Sequence, residues 1–293
     1  MGEMIDVFER WQGPIDWHAV HAAGVDKAYI KITNGSLPAV PPGDDYVLGC
    51  NQAGITAGGY AYALGGSDPF LQASVFASEL QRLRLARPGV GLAPMLDFED
   101  ASLPTDPGAR RGWILAFCGF LVHLFPDANR QLLYSSGNEL QQIQPAQIVI
   151  PGVQLLEWDA EWGPNDGTNH PITAYTGTVA VHQYTSRGRV PGIGGLVDRD
   201  QVSGDISLPS VPNPPVVPSP IPPGTYLRIG STGPYVTKLQ HTLNVQYPLY
   251  SHLTEDGIYG PITATTVREF QRRAHILVDG IAGPQTLNAL GLQ

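Results

Sequence analysis

Cysteine is scarce in this chain, and its scarcity excludes a disulfide-stabilised scaffold. The 293 residues include only Cys50 and Cys118, which lie in segments with helical patterns. Two cysteines cannot form the framework of a small secreted domain, so we expect two buried free thiols. Charged residues are also few, at 15%, against 42% hydrophobic residues. This balance is typical of a globular protein and excludes a disordered chain.

Positive charge is the scarcer sign. The chain carries 17 Lys+Arg against 26 Asp+Glu, a formal net charge of -9. A general nucleic-acid binder needs a basic surplus that replaces phosphate counterions, so we expect no nucleic acid among the partners. The deficit lies in residues 1–223, with 12 basic against 22 acidic residues, whereas residues 224–293 carry 5 against 4. The two parts are therefore predicted to have different tasks.

Long hydrophobic runs are missing too. The most apolar segment runs from Ile114 to Phe125, is interrupted by His123 and is too short to cross a bilayer. The first residues, Met1 to Met4, lack the basic and apolar regions of a secretory signal. From these features we expect no membrane insertion and no signal-directed export.

Proline, by contrast, is concentrated in one segment. Residues 209–223 have the sequence PSVPNPPVVPSPIPP, with eight prolines. A segment of this composition cannot bury a core, so we predict a semi-rigid polyproline II spacer of up to about 45 Å, at roughly 3.1 Å per residue. The spacer would separate a large domain at residues 1–208 from a small domain at residues 224–293.

Strand and helix patterns alternate in the large domain. We predict strands at 5–11, 25–32, 55–63, 92–100, 132–135, 154–160, 179–185 and near Val197, with helices at 15–23 and 44–53 and helix starts at Pro69 and Asp106. About eight strands with intervening helices predict an α/β fold. The architecture we expect is an irregular TIM-like β/α barrel of parallel strands whose second half has fewer clear helices.

The segment Leu92–Asp100 is a short apolar run that ends in acids. Because side chains alternate across a strand, Asp97 and Glu99 should face the same side while Phe98 packs away from them. Two carboxylates that are close together cannot both ionise freely, so one should keep its proton and could act as a general acid. Barrel folds place their chemistry at such strand ends. The alternative interpretation is a solvated turn without function.

More acids and aromatic residues are predicted at the same end of the barrel. Asp6 lies on the first strand and Asp198 on the last, and these strands are neighbours in a closed barrel. Aromatic side chains around an acidic cleft suit a sugar polymer, because sugar C–H faces stack on rings while hydroxyls bond to carboxylates. Each aromatic residue alone is better explained by core packing, but together they suggest a binding cleft. The candidates at this end are Lys31, Tyr60, Tyr62, Tyr134, Trp158 and Tyr184.

An internal repeat marks the C-terminal part. Asp256-Gly257-Ile258-Tyr259-Gly260-Pro261 recurs as Asp279-Gly280-Ile281-Ala282-Gly283-Pro284, and a helical pattern follows each copy. Asp-Gly favours a tight turn, and Gly-Pro favours the start of a helix. We predict a small all-α three-helix domain. Its expected core contains Leu239, Leu243, Val267, Phe270, Ala274, Leu287 and Leu290.

Several short pieces of the large domain occur in the order of a known family. They are Ile5-Asp6-Val7, Gln12-Gly13, Ile15-Asp16-Trp17, Tyr29-Ile30-Lys31, Gly59-Tyr60, Asp97-Phe98-Glu99, Tyr134, Trp158-Asp159-Ala160, Gln183-Tyr184 and Val197-Asp198. On these pieces, residues 5–200 resemble the family 25 glycoside hydrolases, the Chalaropsis-type lysozymes. Two departures concern subsite detail: Tyr60-Ala61-Tyr62 stands where the family usually has Tyr-His-Phe, and Phe8 replaces a small polar residue.

The resemblance implies an N-acetylmuramidase that cleaves the β-1,4 bond between N-acetylmuramic acid and N-acetylglucosamine in peptidoglycan, without a cofactor or a metal. It implies that Glu99 is the general acid and that Asp97 orients and stabilises the N-acetyl group of the substrate. Asp6 and Asp198 would maintain the negative potential and the hydrogen bonds around that pair. The substrate contacts implied are Lys31, Tyr60, Tyr62, Tyr134, Trp158, Gln183 and Tyr184.

The small domain has its own resemblance. Leu239-Gln240, Asp256-Gly257 with Gly260, Phe270-Gln271, and Asp279-Gly280 with Gly283-Pro284 and Thr286 match the type 1 peptidoglycan-binding domain. Residues 226–290 are therefore similar to that three-helix family, which implies bacterial peptidoglycan as the partner. Together with the missing signal, this suggests a monomeric phage endolysin, made in the host cytoplasm and then released to the cell wall.

Three alternatives stay open at this point. A zinc amidase would need metal ligands, and His18-x-x-His21 is the only tight histidine pair, without a third ligand in view. A catalytically inactive peptidoglycan-binding protein could be built on the same barrel. Finally, Glu157, Asp159 and Glu161 form a second acidic cluster that could hold the true catalytic pair.

Overall fold

The computed structural model describes residues 2–209, 221–247, 250–251, 253–255 and 257–293. The chain divides into two compact units, Met1–Val211 and Pro212–Gln293. The predicted spacer falls largely on residues 210–220, outside the described residues, so its conformation stays a prediction. Ile221, near the end of that spacer, is fully buried in the core of the second unit, and its amide donates to the Leu292 carbonyl at 2.8 Å.

The first unit is built on a closed ring of strands. In chain order the strands are β1 (Gly2–Val7), β2 (Val25–Asn34), β3 (Leu37–Pro38), β4 (Thr56–Tyr62), β5 (Met95–Asp97), β6 (Arg130–Ser136), β7 (Gln154–Ala160), β8 (Val179–Gly188) and β9 (Val197–Val202). Eight of them follow the order β1-β9-β8-β7-β6-β5-β4-β2, and β1 pairs with β2 to close the barrel. β3 pairs only with β2 in that sheet. The predicted β/α barrel is confirmed.

The last strand of the barrel runs against its neighbours. β9 is antiparallel to both β1 and β8, whereas the other barrel pairs are parallel. The connection from β8 to β9, residues 189–196, is too short for the crossover of about a dozen residues that a parallel strand needs. The expected parallel arrangement is therefore wrong for this strand. The reversal places the start of β9 at the end of β1, so Asp198 pairs in register with Asp6.

Helices cover the outside of the barrel between strands. They are α1 (Glu9–Gln12), α2 (Trp17–Ala22), α3 (Asp44–Ala53), α4 (Pro69–Arg82), α5 (Pro107–Leu124) and α6 (Gly137–Ile143). α4 and α5 start at Asp-Pro as predicted, and the side chains of Asp68 and Asp106 accept amide hydrogen bonds at 2.7 and 2.8 Å. No helix in the described residues is both long and apolar enough to cross a membrane. Cys50 and Cys118 are free and buried, as expected.

Two predicted strands differ in length from the observed ones. The first strand ends at Val7, and α1 begins two residues later, which contradicts the predicted strand over 5–11. β5 covers only Met95–Asp97 of the predicted 92–100. A short apolar pattern does not define where a strand stops, because the same residues also suit buried irregular backbone.

The described residues of the second unit form three helices, as predicted: α7 (Pro234–Gln246), α8 (Pro261–Arg273) and α9 (Pro284–Ala289). Two buried glutamines show the internal repeat as a hydrogen-bond pattern. Gln240 accepts from the Gly257 amide and donates to the Ile258 carbonyl, and Gln271 does the same with Gly280 and Ile281. Asp256, the first residue of the first copy, lies outside the described residues. The predicted core residues are buried, with Ala274 partly buried against them.

Candidate active site

The predicted acids converge on one cavity inside the first unit, of about 220 Å³. Asp6 lies near the end of β1, Asp97 at the end of β5, Glu99 just beyond it and Asp198 near the start of β9. The wall also contains the predicted residues Lys31, Tyr60, Tyr62, Tyr134 and Gln183. The barrel thus brings together side chains that are far apart in the sequence.

The backbone around Phe98 explains why Asp97 and Glu99 line the same cavity. The Phe98 amide donates to the Tyr134 carbonyl at 2.9 Å, and the Ser135 hydroxyl donates to the Phe98 carbonyl at 2.8 Å. These bonds tie the chain to β6 beyond the end of β5. The Phe98 ring is buried against Trp113, with 5.3 Å between ring centroids. Alternation therefore continues past the strand and returns Glu99 to the cavity side.

Asp97 and Glu99 differ in their exposure to solvent. Asp97 is only 6% exposed, whereas Glu99 is exposed at the cavity mouth. Burial, and then the charge of Glu99, raises the pKa of Asp97 well above its usual range. The cavity walls still reduce the hydration of Glu99, and this partial burial raises its pKa as well. Two carboxyl groups coupled in this way favour a state in which they share one proton, which is what a general acid beside a carboxylate requires.

Lys31 is the cation that faces this pair. It is 6% exposed, and its Nζ lies 3.8 Å from the centroid of the Tyr62 ring and 5.1 Å from that of Phe8. Burial lowers the pKa of Lys31, while the charges of Asp97 and Glu99 oppose that shift. In return, the ammonium group lowers the pKa of both carboxyl groups. Lys31 therefore offsets part of the cost of burying acids here.

A chain of hydrogen bonds holds Asp6. The Gln183 amide donates from Nε2 to Asp6 Oδ2 at 2.8 Å. The Gln183 carbonyl oxygen accepts from the Tyr134 hydroxyl at 3.1 Å and from Trp162 Nε1 at 2.8 Å. These bonds fix the orientation of the amide, so that its N–H group must face Asp6. Gln183 and Tyr134, both predicted as substrate contacts, thus also support an acid.

Asp198 completes the acidic wall. Burial, followed by the charge of Glu99, raises the pKa of Asp198 to about 6. It stands opposite Asp6 in the antiparallel pairing of β1 and β9. Burial, followed by the charge of Asp198, also raises the pKa of Asp6 well above its usual range. The cavity therefore holds four carboxyl groups whose ionisation is mutually dependent.

Two predicted substrate contacts do not line this cavity. Trp158 is fully buried in the barrel interior, and its Nε1 donates to Asp200 Oδ1 at 3.1 Å. Tyr184 is 3% exposed, donates to Glu3 Oε2 at 3.0 Å and faces Arg199. Tyr184 follows Gln183 on the same strand, and successive side chains on a strand face opposite ways. The structure therefore places neither predicted contact in the cavity: Trp158 belongs to the barrel core, and Tyr184 is buried against Glu3 and Arg199.

The cavity wall includes residues that the sequence did not single out as contacts. They are Phe8, Trp11, Met95, Trp162 and Ser186. Trp11 is 71% exposed on α1, a helix that was predicted as strand. Trp162 lies in the connection after β7, two residues beyond the predicted Ala160. The sequence signal that could have found both residues is a tryptophan close to the end of a predicted strand.

The two alternative sites lack the geometry of an active site. Glu157, Asp159 and Glu161 belong to the outer side of β7 and its continuation, and none of them lines the acidic cavity. His18 and His21 are both exposed on α2. Within the described ranges, no group of three or more His, Cys, Asp or Glu is arranged to hold a metal ion.

Comparison with known families agrees with this geometry. The model for glycosyl hydrolases family 25 matches residues 5–193, and the model for a peptidoglycan binding domain matches residues 232–290. The first match covers well over half of the chain and includes Asp6, Asp97 and Glu99. The chain belongs to glycosyl hydrolases family 25. It is therefore a glycoside hydrolase, and the predicted peptidoglycan hydrolase function is confirmed at that level.

Individual relatives are lysozymes. An autolytic lysozyme of Clostridium acetobutylicum is 28% identical over 293 residues, 97% of this chain and 77% of that protein. The crystal structure of a lysozyme from Streptomyces coelicolor superposes with a TM-score of 0.55 at 28% identity, over 69% of this chain and 92% of that one. The catalytic domain of endolysin ply40 from bacteriophage P40 of Listeria monocytogenes shares the fold, with a TM-score of 0.56 at 21% identity over 70% and 95% of the chains.

Proposed function

We propose that this family 25 enzyme is an N-acetylmuramidase with Glu99 as its general acid. The observation that carries the assignment is the contrast within the acid pair: Glu99 is exposed at the cavity mouth and Asp97 is buried beside it. A leaving-group oxygen of a long polymer meets the acid at the mouth first. Burial raises the pKa of Glu99, which favours the protonated form that a general acid needs.

Asp97 takes the second role in this proposal. It accepts a hydrogen bond from the N-acetyl group of the substrate and orients that group toward the anomeric carbon. Asp97 Oδ1 is buried and has no hydrogen-bond partner among the described residues, so an acceptor is available for a substrate N–H. In this scheme the substrate supplies the nucleophile, in contrast to the common retaining mechanism with two protein carboxyl groups.

Asp6 and Asp198 provide the surrounding field. Positive charge develops on the sugar ring as the glycosidic bond breaks, and fixed negative groups stabilise it. The two residues face each other across β1 and β9 and line the cavity with the acid pair. Tyr60, Tyr62 and Lys31 in the same wall are proposed to contact sugar hydroxyls and ring faces.

The decisive experiment replaces the proposed acid. Glu99→Gln should lower the release of reducing sugar from purified peptidoglycan by at least about 100-fold, because the amide has no proton to donate. Glu9→Gln is the matched control, since Glu9 lines a neighbouring cavity that lacks the acid pair. Thermal unfolding should show that both variants fold. Activity that survives in Glu99→Gln would refute the assignment.

Mass spectrometry of the products tests which bond is cut. A muramidase leaves N-acetylmuramic acid at the reducing end of the released muropeptides. A glucosaminidase would leave N-acetylglucosamine there, and an amidase would release the stem peptides instead. Intact walls after prolonged incubation would support an inactive binding protein.

The second unit is proposed to hold the enzyme on the wall. Residues 1–208 alone should cleave soluble wall fragments at the rate of the full chain, because the cavity lies entirely within them. Binding to whole walls should be weaker without the second unit, since linked modules raise the effective concentration at the surface. Equal sedimentation of both forms with whole walls would contradict this role.

The cellular role as a phage endolysin stays part of the proposal. Production in the host cytoplasm predicts that expression alone leaves bacteria intact and that lysis follows when the membrane is permeabilised. Culture turbidity before and after addition of a pore-forming agent measures this. Lysis without permeabilisation would point to another route to the wall.

A further inference from the structure

A fifth carboxyl group lies beneath the acidic cavity and belongs to none of the roles above. Asp200 is fully buried, two residues after Asp198 on β9, so both side chains face the barrel interior. In the strand register Asp200 stands opposite Met4 on β1 and Gln183 on β8. It therefore lies one interior layer below the pair formed by Asp6 and Asp198.

The partners of Asp200 define where its proton can be. Trp158 Nε1 donates to Oδ1 at 3.1 Å, whereas Oδ2 receives no N–H or O–H hydrogen bond among the described residues. Asp6 is the diagonal neighbour of Asp200 across the pairing of β1 and β9, and the two carboxyl groups interact electrostatically. Two carboxyl groups can form a hydrogen bond only if one of them carries a proton. Oδ2 of Asp200 is the atom that is free to carry it.

Burial decides which of the two acids holds this proton. Asp6 borders the cavity and accepts an N–H from Gln183, both of which favour its ionised form. Asp200 has no exposed surface, and burial followed by the charges of Asp6 and Asp198 raises its pKa well above its usual range. Asp6, Asp198, Glu3, Tyr29 and Tyr184 interact electrostatically with Asp200. The cation Arg199 is paired with Glu3 at 2.8 Å and lies against the Tyr184 ring.

We propose that Asp200 is a positioning residue of this active site: a neutral carboxylic acid that donates its proton in a hydrogen bond to Asp6. The bond holds Asp6 as an oriented anion that faces the sugar. Trp158 then acts through Asp200, because its N–H occupies Oδ1 and directs the proton to Oδ2. This inference rests on the proposed role of Asp6 in the muramidase reaction.

Two substitutions of Asp200 in the full-length enzyme test whether its hydrogen-bond donor or a negative charge matters for activity. Asp200→Asn keeps an N–H donor toward Asp6 and should retain activity within about threefold, with an unchanged acid limb of the kcat/KM profile against pH. Asp200→Leu removes the donor. It should lower kcat/KM by about 10- to 100-fold, the range expected for a hydrogen bond to a charged group, and move the acid limb to higher pH.

Opposite results would overturn the proposal. If Asp200 were ionised, Asp200→Asn would relieve repulsion and move the acid limb to lower pH. A purely structural role would lower activity in both variants without moving the profile.

A spectroscopic measurement remains informative even if Asp200→Leu fails to fold. The infrared difference between wild type and Asp200→Asn at neutral pH should contain the C=O stretch of one protonated carboxyl group. Its absence would refute a neutral Asp200. This signal does not depend on catalysis, so it stays interpretable if peptidoglycan proves not to be the substrate, and Glu99→Gln tests that point separately.

Discussion

The interior of the barrel and the outer face of β7 both hold buried carboxyl groups, but their surroundings differ. Inside, Asp6 accepts from Gln183, and Asp97 faces the cation of Lys31. Outside, Asp159 is also fully buried, yet neither of its carboxylate oxygens has a hydrogen-bond partner among the described residues. Burial, followed by the charges of Glu161 and Glu157, raises the pKa of Asp159 to about 7. A raised carboxyl pKa is thus common to both regions.

The comparison shows which property marks a site. Asp6, Asp97, Glu99 and Asp198 border a cavity that can admit a substrate. Asp159 instead is packed near the start of α6, where a Cβ added to Gly137 would lie 3.0 Å from Asp159 Oδ1. A raised carboxyl pKa shows that the group is shielded from water, which is true of structural acids as well as catalytic ones. A carboxyl group is a candidate catalytic residue only if it also lines a cavity that a substrate can enter.

The largest contrast between the two regions should be catalytic. Asp97→Asn removes the negative charge of the proposed acceptor and should lower kcat on purified peptidoglycan by roughly 100-fold or more. Asp159→Asn is the matched control with an equally buried aspartate, and its kcat should equal that of wild type. If Asp159→Asn were the inactive variant, the catalytic pair would have to be sought in the outer cluster.

Asp159 should affect the pH dependence of stability rather than catalysis. The folded pKa of Asp159, about 7, exceeds the ordinary value of 3.8, so the folded state binds the proton more tightly. Its contribution to the free energy of unfolding is present at pH 4 and is lost as the pH rises to about 7. Asp159→Asn cannot ionise, so at pH 8 its free energy of unfolding should exceed that of wild type by at most about 4 kcal/mol. At pH 4 the two proteins should be about equally stable.

Thermal unfolding at the two pH values measures this difference. Asp26→Asn serves as the control, because the Asp26 side chain is 54% exposed and should leave the pH dependence unchanged. An equal gain for Asp159→Asn at both pH values would show that its ionisation is not the cause.

A smaller effect, on the pH dependence of activity, is expected from replacing Lys31, the cation that faces the interior acids. Lys31→Met keeps most of the side-chain volume but removes the charge that lowers the pKa of Asp97 and Glu99. Both limbs of the bell-shaped activity profile should therefore move to higher pH. Lys27→Met, at a side chain 28% exposed and paired with Asp26, is the matched control. A profile that stays in place would mean that Lys31 does not set the ionisation of the pair.

Strand periodicity was enough to place much of this site. The alternation of Asp97, Phe98 and Glu99 predicted a buried ring between two acids on one side, and the structure has that arrangement. Trp158 and Trp162 show where the pattern stops being informative. Both are aromatic and close to the end of β7, but only the second lines the cavity. Hydrophobic character does not say at which level of a barrel a side chain lies.

Local sequence patterns are sufficient to predict the alternation of strands and helices, the two free thiols, the helix starts at Asp-Pro and the three-helix tail. These features depend on contacts between near neighbours in the chain, so local patterns encode them. The direction of β9, the pairing of Asp198 with Asp6, and the position of Asp200 below them could be read from the tertiary structure alone. The same holds for the hydrogen bond that Trp158 donates to Asp200. Those contacts join residues far apart in sequence, and barrel closure sets their register.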